Sequence, residues 1–210
     1  MENQKHIQTE NVSRYCSPKA AARYLGFLTK IGVLRQDGDS FQLKADFVPN
    51  FGETLEWYIA ELFKSEFGSA AIYRAMITKS KIGGDWDVLA NWSGRLVYLE
   101  VKSSPPKAVD AVQIQMFFYR LWELFPDIAI LLEDTQLRMA DKIVPLFREE
   151  PARKHGSREK EKYPVSRLQG EIFHINHSVY IMNSKGGLMQ NLLRCLRDFL
   201  RNQQQLAGMP

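Results

Sequence analysis

Cysteine is scarce in this chain, and that scarcity narrows its class first. The 210 residues include two cysteines, Cys16 and Cys195, far apart and outside any CxxC spacing. This usage excludes a disulfide framework and a cysteine-built zinc cluster, and it fits reduced thiols in a cytoplasmic protein. Long apolar runs are missing too. No stretch approaches the roughly 20 residues that span a bilayer, so no membrane partner is expected. The polar start Met1-Glu2-Asn3-Gln4-Lys5 lacks the apolar centre of a secretory signal. No segment repeats, and neither charge dominates: the formal net charge is +4. That mild basicity permits a nucleic-acid partner without requiring one. What is present is ordinary globular material, 45% hydrophobic and 25% charged. Such a chain can bury a core without staples.

The chain divides near residue 48. In 1–48, Ser17-Pro18 reads as an N-cap with proline at the first helical position. A helix over about 18–31 would bury Ala21, Leu25 and Leu28. Val33–Arg35 and Phe41–Leu43 flank a turn containing Asp37-Gly38, as in a hairpin. Helix plus hairpin is winged-helix-like, or else a structural cap. Residues 49–210 hold the main α/β domain. A helix over about 53–66 carries Leu55, Ile59, Leu62 and Phe63 on one stripe. Strands follow at about 70–77, 85–91 and 95–103, then a helix at about 107–124. The apolar run 127–132 reads as a buried central strand. A helix at about 136–149 is expected to bend at Pro145. Residues 148–167 alternate basic and acidic groups and read as solvated. Short strands near 173–175 and 179–182 and a last helix over about 187–202 complete the order. The fold class is α/β, with a mixed sheet flanked by helices.

The chemistry concentrates in one hairpin, Gly84-Asp85-Trp86-Asp87-Val88-Leu89-Ala90 followed by Val97-Tyr98-Leu99-Glu100-Val101-Lys102. Side chains alternate along a strand. Val97, Leu99 and Val101 therefore share an inward apolar face, and Glu100 and Lys102 share the other. The turn Asn91–Gly94 pairs the strands antiparallel, which sets Asp87 beside Glu100 and Lys102. Two carboxylates and the Val101 carbonyl supply oxygens that a hard divalent cation prefers. A lysine beside them can orient water or offset phosphate charge. The same pattern also describes an ordinary solvated Glu–Lys pair, so its surroundings matter. Glu56, near the packed face of the preceding helix, can reach the metal waters. Gln115 and Tyr119 share a face of the following helix, with Gln113 a competitor for the glutamine's role.

These residues resemble the PD-(D/E)xK, or restriction-endonuclease-like, nuclease superfamily, near its Holliday-junction-resolvase and RecB-like branches. Gly52-xxx-Glu56 is similar to a helical motif of the resolvases, Asp87-Val88-Leu89-Ala90 to the metal-binding Asp, and Glu100-Val101-Lys102 to the ExK. Gln115-xxx-Tyr119 resembles the extra RecB-like motif. The resemblance covers about 52–134. It implies a core of helix, three-stranded meander, helix and strand. It also implies Mg²⁺ or Mn²⁺ on Asp87 and Glu100, and hydrolysis of DNA assisted by Lys102. Trp86 stands where the name-giving proline would be, and Asp85 competes with Asp87 as first ligand.

For a DNA partner, Lys79, Lys81, Lys107 and Arg120 are the expected phosphate contacts. Arg194, Arg197 and Arg201 stripe the last helix. His174 and His177 have no partner carboxylate in sequence and are not expected to bind metal. Trp86 and Trp92 read as packing groups. A homodimer or a protein partner fits a nuclease that cuts two strands. The alternative is a catalytically silent DNA-binding or assembly protein on the same fold.

Overall fold

The computed structural model describes residues 6–14, 16–44, 51–77, 80, 82–155 and 164–207. It forms two sheets. The N-terminal one comprises β1 (Ile7–Gln8), β2 (Leu34–Asp37) and β3 (Ser40–Leu43) in the order β1-β3-β2. Beside it lie α1 (Thr9–Val12) and α2 (Pro18–Lys30). Ser17 caps α2 by accepting from the Ala20 N–H, and Pro18 occupies the first turn, where no N–H is needed. Ala21 and Leu25 are buried and Leu28 packs against them. Asp37 pairs with Ser40 across a two-residue turn in which Gly38 has φ +57°, a conformation glycine reaches at little cost.

The larger sheet has seven strands in the order β4-β5-β6-β7-β10-β9-β8. They are β4 (Ala70–Ala75), β5 (Trp86–Trp92), β6 (Arg95–Lys102), β7 (Ile128–Glu133), β8 (Ser166–Gln169), β9 (Ile172–Ile175) and β10 (Val179–Asn183). β4, β5 and β6 form an antiparallel meander. β6, β7 and β10 run parallel, and β10, β9 and β8 return antiparallel. The helices are α3 (Phe51–Glu66), α4 (Ala111–Leu124), α5 (Ile143–His155) and α6 (Leu188–Ala207). Ile59 and Phe63 of α3 and Leu192, Leu196 and Phe199 of α6 pack with Val97, Leu99 and Val101. Ile114, Phe117 and Phe118 of α4 and Phe147 of α5 pack with Tyr98, Ala129 and Leu131 on the opposite face. The sheet is therefore covered on both sides, and β7 is buried at every position, as a central parallel strand requires.

Several expectations are corrected. The helix after β6 begins at Ala111, not near 107. Asp110 and Gln113 close a capping box there, and Pro106–Ala108 form a separate 3₁₀ turn. α5 starts at Ile143, so Pro145 lies in its first turn and does not bend it. Of the segment 148–167 read as solvated, residues through His155 continue α5, and Ser166 and Arg167 open the strand β8 while staying exposed; residues 156–163 lie outside the described ones. Trp86, placed by alternation with Val88 and Ala90, packs instead with Tyr98 on the α4 side. Across from this strand end, Arg74 has φ +51° and interrupts the regular ladder of β4.

Candidate functional site

The hairpin register sets the site. Val88 pairs with Leu99, so Asp87 and Glu100 stand opposite each other at the next step. Here a side chain replaces the backbone ladder. Asp87 Oδ2 accepts the Val101 N–H at 2.7 Å. In an extended strand a residue's N–H and C=O point the same way, so the Val101 carbonyl also faces the β5 side. On the other side, the Lys102 carbonyl accepts the Asp134 N–H at 2.7 Å.

Glu100 is more deeply held than alternation implied, at 3% exposure. Lys102 Nζ donates to its Oε1 at 2.6 Å, and Arg120 Nη1 donates to its Oε2 at 2.5 Å. The Tyr98 hydroxyl also donates to Oε2. Burial alone would raise this carboxyl; Lys102 and Arg120 outweigh it and hold Glu100 below its ordinary range. Asp87 goes the other way, to about 7, through burial and then the Glu100 charge. Glu56 also rises to about 7, through burial and repulsion from Asp85, Glu53 and Glu100, despite Arg74. Its Oε2 is buried without a hydrogen-bond partner among the described residues.

The alternatives at Asp85 separate by environment. Asp85 is open to solvent and pairs with Arg74, which also holds Glu53 at 2.7 Å. Asp87 is buried against the strand backbone. Arg120, expected at a phosphate, is instead the buried partner of Glu100, with its guanidinium 5.9 Å from the Trp86 ring. The same helix carries Gln115 and Tyr119. At about 100° per residue, Gln115 lies roughly 140° around α4 from Arg120. Tyr119 packs on Trp122, with ring centroids 5.6 Å apart. Gln113 serves the helix cap. Lys107 is exposed, and its carbonyl accepts from Lys142 Nζ. Lys79 and Lys81 lie outside the described residues. Arg194, Arg197 and Arg201 are exposed on α6, opposite its buried apolar stripe, as expected.

Among the described residues, no three or more histidine, cysteine or acidic side chains converge as a metal cluster. The donor set present is smaller: two carboxylates and one backbone carbonyl. That set fits a hard, oxygen-seeking cation completed by water, and burial first, then neighbouring carboxylates, raise the Asp87 and Glu56 carboxyls beside it. Comparison with protein-family models, curated proteins and solved structures finds no match.

Three features escaped the sequence reading. Arg120 lies twenty residues from Glu100, and no local pattern joins them. Glu133 ends β7 fully buried, with neither carboxylate oxygen hydrogen-bonded among the described residues. His177 does have a carboxylate partner: Asp198 of α6 lies 2.7 Å from its Nδ1 and also accepts from the Tyr180 hydroxyl.

Proposed function

We propose that this chain is a divalent-metal-dependent endodeoxyribonuclease with a restriction-endonuclease-like core. The carrying observation is the meeting of Asp87, Glu100, Lys102 and the Val101 backbone where β5 and β6 diverge, with Glu56 approaching from α3. The order α3, β4-β5-β6, α4, β7, with β7 parallel to β6, agrees with the core that the motif resemblance implies. Asp87, Glu100 and the Val101 carbonyl would hold Mg²⁺ or Mn²⁺. Such a cation, when bound, polarises the phosphodiester and makes water a better nucleophile. Lys102 brings positive charge to the phosphate and, through Glu100, fixes that carboxylate's direction. Arg120 and Tyr98 hold Glu100 from behind. Glu56 offers a free acceptor to a water beside the phosphate.

One observation favours a second reading, a silent DNA-binding protein. Both Glu100 oxygens are already engaged by the chain's own donors, so a metal must compete with them. Cleavage of labelled linear, supercoiled, single-stranded and branched DNA with Mg²⁺ or Mn²⁺ decides between the two. The wild type cleaves, and Asp87→Ala and Lys102→Ala lower the rate at least about 100-fold. Binding without cleavage under every condition supports the silent protein, or one that needs a protein partner or a second copy.

A further inference from the structure

Beside the candidate site lies a cleft of about 890 Å³. It sits between the N-terminal module and the C-terminal ends of β7 and β10. Arg23 and Tyr24 of α2 and Tyr58 of α3 form one side. Asp134 and Gln136 after β7 and Ser184 after β10 form the other. Small-molecule sites span about 300–1,000 Å³ and favour domain boundaries and strand ends in α/β sheets.

Two links join this cleft to the site. Leu55 lines it, and the next residue of α3 is Glu56. Asp134, which also lines it, donates its N–H to the Lys102 carbonyl. A strand held at Lys102 therefore has the cleft as its neighbour.

The lining decides the ligand. Among the described residues its one guanidinium and one carboxylate offset each other, and the polar groups beside them are two phenols, an amide, the Thr135 and Ser184 hydroxyls and the Cys16 thiol. That balance is wrong for a run of phosphates. It suits a flat, uncharged ring with hydrogen-bonding edges, which is a nucleobase. Tyr24 is 41% exposed and Tyr58 46%, so both rings are open to stacking. The Arg23 guanidinium lies 5.3 Å from the Tyr24 ring centroid, and a base can extend that stack. Gln136 Nε2 donates to the Tyr24 hydroxyl at 2.5 Å, fixing the ring across the cleft.

We propose that the cleft receives an unpaired nucleobase of the strand being cut, so the substrate is single-stranded or opened next to the scissile phosphate. A base within a duplex has its faces stacked and its pairing edge occupied, and it must leave the helix to enter. The inference rests on the nuclease reading for the strand's course past Lys102, but base binding itself needs no cleavage.

The test is fluorescence anisotropy of the full chain in EDTA, using a labelled ten-residue oligodeoxythymidine, a blunt duplex of equal length, and free thymidine monophosphate as competitor. The single strand should bind at least tenfold tighter than the duplex. Tyr58→Ala should weaken it roughly tenfold, the scale of one lost base–aromatic stack. Tyr58→Phe should keep it. Tyr58 is exposed, and circular dichroism of both variants confirms the fold. Equal affinity for both strand forms, or indifference to Tyr58→Ala, overturns the proposal. So does tight monophosphate binding without strand binding, which would make this a free-nucleotide site. A parallel cleavage assay with Mn²⁺ separates the two readings. Tyr58-dependent strand binding without cleavage supports the base site and leaves the chain a silent protein or one that needs a partner to cut. Cleavage without any Tyr58 dependence sinks only the base site.

Discussion

Glu133 shows how far a single residue can depart from its strand. Ile128 to Leu132 are apolar, and the next position on this buried strand is a carboxylate at 0% exposure. Burial pushes it up to about 8, and Lys142 lowers it only in part. The fold therefore binds this proton more tightly than the unfolded chain does. The sign follows: the contribution to stability is intact below the ordinary glutamate value of 4.5 and drains away as pH rises through 8. At about 1.4 kcal/mol per tenfold in proton affinity, the full loss is on the order of 5 kcal/mol. Glu133→Gln keeps the shape of the protonated acid and cannot ionise. Thermal melts at pH 3.5 should place the variant and the wild type together. At pH 8.5 the variant should melt roughly 10–20 °C higher. A gap that does not change with pH would show that Glu133 does not titrate in the fold. At the hairpin, by contrast, cations decide: Glu100 is nearly as buried, yet Lys102 and Arg120 keep it ionised.

At the scale of elements, α4 connects local sequence to the site. Its first turn is closed by Asp110, whose side chain accepts the Gln113 N–H at 2.9 Å, while the Gln113 side chain accepts the Asp110 N–H at 3.0 Å. Ten residues on from Asp110, the same helix delivers Arg120 to Glu100. Asp110→Ala should cost about 1 kcal/mol in chemical denaturation, with a smaller loss for Gln113→Ala. An unchanged midpoint for Asp110→Ala would mean that tertiary packing alone sets this helix start. Here the limits of legibility are physical. Period-2 alternation located β5 and β6 and put Val97, Leu99 and Val101 inward. Apolar runs located β7 and the stripes of α3 and α6. Alternation could not say that α4 covers the other face of β6, so Glu100 read as more open than it is. The Gln115–Tyr119 spacing marked one helix face correctly, but only packing reveals that Arg120's side approaches Glu100. β8 was hidden because Ser166-Arg167-Leu168-Gln169 is largely exposed and carries little periodic signal.

For the molecule as a whole, the arrangement of cores matters more than any one contact. Ile7, Leu25 and Leu34 form a small cluster of their own. The two large clusters on either side of the seven-stranded sheet draw on no residue before Leu55. The three-stranded and seven-stranded sheets share no strand, and the Gln136–Tyr24 hydrogen bond spans the cleft between them. A chain of about 160 residues can bury a stable core alone, whereas about 50 residues with so few buried side chains are marginal. A fragment covering 51–210 should therefore fold and unfold cooperatively, with a melting temperature within about 5 °C of the main transition of the full chain. Differential scanning calorimetry of both proteins checks this, and a broad, non-cooperative trace from the fragment would show that the N-terminal module is part of one folding unit. The same fragment joins architecture to function. It retains Glu56, Asp87, Glu100 and Lys102 but loses Arg23 and Tyr24, and with them one wall of the cleft. Metal-dependent cleavage should survive in it, and the preference for single-stranded over duplex DNA should fall.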